Sequence, residues 1–243
     1  MTAHPRRVLL APGYILHHRP YRDTSRILEV LVRDHGRLTL FARGVRGPKP
    51  RFRGVLQPFD LLLLSFQVGR EAGQLTGAES AESAPALPPG GLMAGFYLNE
   101  LLLKLTTRHD PLPEVFEDYR QALAGLRAGA RVERVLRLFE KRLLEAMGYG
   151  ADLTSEARTG RAVEEGKFYR FRASEGLSRV EADEAEAVAG SSLIELARES
   201  LTDGRALEDA RRILKAALEE RLEGKELTTR KVARALARRG SQT

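Results

Sequence analysis

Apolar residues in the first 80 positions fall in short runs that alternate with polar residues or are bounded by Gly, Pro and Asp. The runs at 8–17, 25–33, 37–43, 56–66 and 73–79 have the length and two-residue period of strands. Asp34-His35-Gly36 joins the second to the third, and a short glycine-containing connection between alternating segments predicts a hairpin. Five strands in so short a stretch predict a small barrel. Residues 81–91, with SAPALPPGG at their heart, have the composition of a linker. Beyond it the period lengthens. Leu92, Phe96, 99–103 and Leu105 follow helical spacing with apolar residues on most sides, which predicts a buried helix. A second helix is predicted over 114–127, and a third over 132–147 with Val132, Val135, Leu136, Phe139, Leu143 and Met147 turned to the core. KFYRFR at 167–172, a Ser174-Glu175-Gly176 turn and the run 177–180 predict a small hairpin interrupting the helical part. Helices resume at 191–201, 206–222 and 229–239, the last capped by Thr228. The predicted class is α+β: a barrel domain at 1–80, a linker at 81–91, and a mainly helical domain at 92–243 with a hairpin insertion at about 149–190.

Charge adds direction to this layout. The 243 residues carry 40 Lys and Arg against 33 Asp and Glu. Residues 1–80 hold 13 basic and 6 acidic groups, whereas the remaining 163 hold 27 of each. All the excess therefore lies on the predicted barrel. Between 33 and 53, Arg33, Arg37, Arg43, Arg46, Lys49, Arg51 and Arg53 face the single acid Asp34. Such a field attracts polyanions, nucleic acid first and anionic lipid second, unless it is only a solvated face.

Zero cysteine excludes disulfides, thiolate nucleophiles and cysteine-built zinc or iron–sulfur sites. The nearly apolar stretch 92–105 is interrupted by Asn99, Glu100 and Lys104 and falls short of the roughly 20 residues that span a bilayer, so no membrane helix is expected. MTAHPRRVLL lacks the features of a secretory signal, which favours a cytoplasmic address. GxxxxGK[ST], HExxH and GxSxG are absent, no GxGxxG follows a strand, and His17 and His18 are strand neighbours that point to opposite faces. Neither a catalytic residue, a metal nor a cofactor is expected, and binding is favoured over catalysis.

The third run places Arg37, Thr39, Phe41 and Arg43 on one face and Leu38, Leu40 and Ala42 on the other. Cations that follow phosphates, with rings that stack on splayed bases, are what single-stranded nucleic acid requires. GVRGPKPRFRG at 44–54 extends this as a glycine-bounded loop with cations around Phe52. The candidate DNA-binding residues are Arg37, Phe41, Arg43, Arg46, Lys49, Arg51, Phe52 and Arg53; alternatively, Phe41 is barrel core flanked by arginines. RPYRDTS at 19–25 lies between the first two runs, either as a structural turn or as an extension of the path through Arg19, Arg22 and Arg26.

RPYRDTSRIL at 19–28, HGR at 35–37, ARGVR at 42–46 and GVLQPF at 54–59 resemble, in order and spacing, the N-terminal motifs of the RecO family of bacterial recombination mediators. YLNEL at 97–101 and RLFE at 137–140, leading to Gly148-Tyr149-Gly150, resemble its helical domain. The resemblance implies an N-terminal five-stranded OB-fold, binding of single- and double-stranded DNA, annealing of complementary strands without nucleotide hydrolysis, and a nucleoid-associated place in the cytoplasm. It implies as partners the acidic C-terminal tail of single-stranded-DNA-binding protein and RecR, with RecA loaded indirectly. For that tail, Arg134, Arg137, Leu138, Lys141 and Arg142 on the outer side of the third helix are the candidates, since a leucine among cations suits an acidic peptide with an apolar end. Many relatives carry a four-cysteine zinc site after Gly-Tyr-Gly; TSEARTG at 154–160 has no cysteine, so no zinc carries over. An OB-type RNA-binding or translation-associated protein, and a nucleic-acid-processing enzyme, are the alternatives.

Overall fold

In a computed structural model, which describes residues 7–69 and 71–232, the apolar runs form β1 (Arg7–Tyr21), β2 (Ser25–Val32), β3 (Gly36–Ala42), β4 (Leu62–Gln67) and β5 (Gly73–Ser80). They close into a barrel in the order β1-β2-β3-β5-β4, antiparallel except where β3 meets β5. Alternation decides which side chains fill it: Leu28, Val30, Leu38, Leu40, Leu64 and Phe66 are buried in one cluster. Two boundaries differ from expectation. β1 continues through Pro20 and Tyr21, so the turn is only Arg22-Asp23-Thr24. β4 starts at Leu62 instead of 56, because Pro58 cannot donate to a ladder; Leu56 is still buried, as an isolated peg in the core.

α1 (Pro89–Leu105) opens inside the expected linker, with proline in its first turn where the missing N–H costs nothing. It is buried on several sides, through Ala94, Leu98, Leu101 and Leu102 among others, but one stripe stays open: Leu92 and Phe96 are 41% and 40% exposed. α2 is Pro113–Arg127. Both belong with the barrel to one compact unit that runs to Arg127 and takes in the described residues from Leu227 to Val232. Tyr14 on β1 meets Phe116 and Tyr119 of α2 at centroid distances of 5.3 and 5.0 Å. The Tyr119 hydroxyl donates to Asn99 Oδ1 (2.6 Å), and Asn99 Nδ2 donates to the Leu16 carbonyl (2.8 Å), so a satisfied polar chain ties both helices to the strand. Gly36 has φ +67°, and a Cβ there would lie 2.1 Å from the Asp110 carbonyl oxygen, so the post-α1 loop can approach the β2–β3 turn only over glycine. Glu100 on α1 accepts the Thr228 N–H (2.8 Å), the Thr229 N–H (2.9 Å) and the Thr229 hydroxyl (2.7 Å). The helix expected over 229–239 lies mostly outside the described residues.

The second unit, Ala128–Glu226, holds α3 (Val132–Ala146), β6 (Phe168–Arg172), β7 (Gly176–Val180), β8 (Val188–Ala189), α4 (Gly190–Ala197) and α5 (Gly204–Arg221). β6 and β7 are the expected hairpin, and β8 completes a sheet in the order β7-β6-β8. Two residues are too short to show a period, so β8 carries no local signal. Asp203 caps α5 by accepting from the Ala206 N–H (2.7 Å), and buried Asp209 accepts from the Ala189 N–H and the Ser192 hydroxyl. Along α3, Val135, Phe139 and Leu143 are buried as expected, but so are Leu144, Arg137, Glu140 and Lys141, whereas Val132, Leu136 and Met147 are only partly covered. No described helix is long and apolar enough to cross a membrane.

Candidate nucleic-acid interface

The loop between β3 and β4 is built so that its apolar residues hold it and its cations stay out. Val45 and Leu56 are buried in the barrel cluster, and Phe52 and Val55 pack against it. Backbone bonds fix the path: the Arg51 N–H donates to the Gly44 carbonyl (2.7 Å), and the Val55 N–H to the Phe52 carbonyl (3.0 Å). The β1–β2 turn joins this loop, because the Arg46 N–H donates to the Thr24 carbonyl (2.9 Å). Arg22, Arg43, Arg46, Lys49, Arg51 and Arg53 are all exposed around the junction. Arg43, Lys49 and Arg53 make no side-chain hydrogen bond or ion pair with the described residues. Among the described residues, the Arg46 side chain reaches only the Arg22 carbonyl, at 3.4 Å. RPYRDTS thus comprises the end of β1, the turn Arg22-Asp23-Thr24 and the first residue of β2.

The β3 alternation is as expected, but its residues differ in fate. Phe41 faces outward and packs on Tyr21 of β1, with centroids 5.3 Å apart and planes at 51°. Arg22 stands over the other aromatic of that pair, its Cζ 5.2 Å from the Tyr21 centroid. Phe52 is committed to the barrel and covered by Arg51, whose Cζ is 4.9 Å from the ring and whose guanidinium donates to the Thr76 carbonyl (3.2 Å). Arg37 turns away from solvent. It donates to Glu29 (3.1 Å), the Thr106 carbonyl (2.8 Å) and the Thr106 hydroxyl (3.3 Å), which anchors β3 to the C-terminal end of α1. Burial lowers its pKa, with the Glu29 carboxylate opposing that shift. Nearby, burial, followed by the electrostatic effect of Arg26 and His17, lowers the His18 pKa. Tyr21 is the residue that reading for cations passed over; its ring sits two positions from Arg19, inside a segment that looked like a turn.

The α3 candidates do not line one open face. Arg137 is buried and donates to buried Glu140 (2.6 Å). Arg134 donates to the Leu201 and Glu199 carbonyls, both at 3.1 Å. Lys141 and Arg142 converge on the Glu199 carboxylate, Lys141 at 3.1 Å and Arg142 through two nitrogens. Leu138 is partly exposed. Hydrogen bonds from Arg142, and then from Lys141, hold the Glu199 carboxyl below its usual range against the effect of burial. The cations beside Leu138 are thus met by carboxylates, among them Glu199, 57 residues from Arg142.

Residues 154–163 do not suit zinc. The hydroxyl of Thr159 donates to Glu156 Oε2 (2.7 Å), Ser155 and Ala162 form a bridge, and the turn is closed by hydrogen bonds between oxygen and nitrogen groups without a sulfur donor. Among the described residues, no group of three His, Asp or Glu side chains is placed to hold a metal ion.

Comparison with known proteins places both halves together. Residues 7–84 match the family model described as recombination protein O N terminal, and residues 90–231 match recombination protein O C terminal. The DNA repair protein RecO of Nitrosococcus oceani is 41% identical, over 97% of this chain and 96% of its own. The protein of the same description from Methylococcus capsulatus is 40% identical over 95% of each chain. That of Coxiella burnetii is 38% identical, over 93% of this chain and 98% of its own.

Proposed function

Since the chain belongs to the RecO family of DNA repair proteins, we propose that it is a recombination mediator that binds single- and double-stranded DNA at the rim of its barrel and anneals complementary strands. The observation that carries this reading is the set of exposed cations on a loop whose backbone is fixed by apolar pegs. Arg43, Arg46, Lys49 and Arg53 are held in place by Val45, Phe52 and Leu56 without being neutralised. Each can replace a condensed counterion on a phosphate, and a path of several supplies affinity without sequence preference. Arg37 is left out of this path, because its guanidinium serves the barrel-to-helix anchor.

On this reading the protein acts in the cytoplasm, at the nucleoid, on strands coated by single-stranded-DNA-binding protein, and with RecR it promotes loading of RecA. The acidic tail of the coating protein meets α3 by exchange: a tail carboxylate takes the place of Glu199 on Lys141 and Arg142, beside the partly exposed Leu138. The mediator role is non-catalytic, and its hold on DNA draws on cation-to-phosphate contacts along the rim.

Annealing of complementary oligonucleotides coated by single-stranded-DNA-binding protein tests the proposal. The parent should anneal them equally well with magnesium or with a chelator. A variant with Arg43, Arg46, Lys49 and Arg53 all changed to Ala should be slower by roughly ten-fold or more. Magnesium-dependent strand cleavage would favour the enzyme alternative, and a marked preference for RNA the translation-associated one.

A further inference from the structure

The barrel rim carries an aromatic pair that the phosphate path does not use. Tyr21 ends β1 opposite Ser25, and Phe41 lies on β3 opposite Ile27. Residues opposite one another on antiparallel strands share a face, and Ser25 and Ile27 are two apart on β2, so Tyr21 and Phe41 stand on the same outer face of three consecutive strands. Their centroids are 5.3 Å apart, and neither ring is fully buried. Cations flank the pair: Arg19 two residues before Tyr21, Arg22 directly after it, and Arg43 two residues after Phe41. Phe52, the other ring in the basic segment, is unavailable because it packs against the barrel core.

We infer that Tyr21 and Phe41 form a stacking subsite for an unpaired nucleobase of single-stranded DNA, and that Arg22 is the cover that the base displaces. This inference rests on the proposed DNA path and adds to it the class of strand the rim prefers. Arg22 has φ +50° and is exposed, and its only ring contact is the cation over Tyr21. A cation over a partly exposed ring is held less strongly than a stacked base, so a base gains by exchange. The displaced guanidinium is then free for the adjacent phosphate, together with Arg19 and Arg43. Duplex DNA keeps its bases stacked on one another and can offer this subsite only phosphates.

The chain contains no tryptophan, so Tyr21→Trp creates a single reporter at the subsite. An oligothymidine should quench its fluorescence, while an abasic oligonucleotide of equal length and a blunt duplex should bind with little quenching. Tyr21→Ala should weaken oligothymidine binding by roughly 5- to 150-fold, the range for removing one stacked base, with duplex affinity within about two-fold. Tyr21→Phe should keep parental affinity. Unchanged duplex binding by Tyr21→Ala also reports that the barrel still folds. Equal quenching by abasic and base-bearing strands, or equal weakening on single strands and duplex, would overturn the subsite while leaving the phosphate path intact. Failure of the parent to bind either DNA would overturn both.

Discussion

Arg37 and Arg43 lie on one face of one strand by their spacing, yet they have opposite roles. Arg37 has a side chain only 12% exposed, held between Glu29 and Thr106; Arg43 is exposed and makes no side-chain bond with the described residues. The difference comes from what covers each end of β3: the end of α1 and the loop after it reach the Arg37 end, where the His109 N–H donates to the Arg37 carbonyl (3.0 Å). Replacing Arg37 by Ala takes from the Thr106 carbonyl its guanidinium donor and leaves the part-buried Glu29 to Thr39 and Arg108. Urea denaturation should then show a loss of about 2 kcal/mol, while the salt dependence of DNA binding stays parental. A flatter salt dependence with unchanged stability would return Arg37 to the phosphate path.

At the scale of elements, local pattern carried far for strands and less far for charged helix faces. The inward set Leu38, Leu40 and Ala42 was legible because a two-residue period has only two faces. The cations of α3 were not, because an arginine is read as exposed until its partner is known. Helix spacing does join Lys141 to Glu145 and Arg137 to Glu140, but the carboxylate shared by Lys141 and Arg142 is Glu199, in the segment between α4 and α5, and no spacing rule joins positions so far apart. Tyr21 was hidden for a different reason: Pro20 and the polar Arg22-Asp23-Thr24 made a strand end look like a loop. If an incoming carboxylate must exchange with Glu199, then Glu199→Gln should bind an acidic tail peptide about five-fold more tightly by fluorescence anisotropy, the effect of removing one partly exposed competing carboxylate. Unchanged or weaker binding would mean that Lys141 and Arg142 do not receive the peptide.

For the whole molecule, the charge asymmetry of the chain survives folding as an asymmetry of surface. The first 80 residues carry the entire excess of seven positive charges, and the described cations of the β3–β4 loop emerge at one rim. The remaining residues have 27 charges of each sign, and the described ones among them hold many of theirs in pairs such as Arg137–Glu140 and Arg170–Glu184. Binding driven by the rim is therefore sensitive to salt in proportion to the number of phosphates it neutralises. The direct measurement is the affinity for an oligothymidine over a series of salt concentrations, for the parent and for the variant in which Arg43, Arg46, Lys49 and Arg53 are all Ala. A phosphate path along this loop predicts a log–log slope flatter by about 2.8 in the variant, roughly 0.7 for each phosphate no longer neutralised. Parallel lines for the two proteins would contradict it.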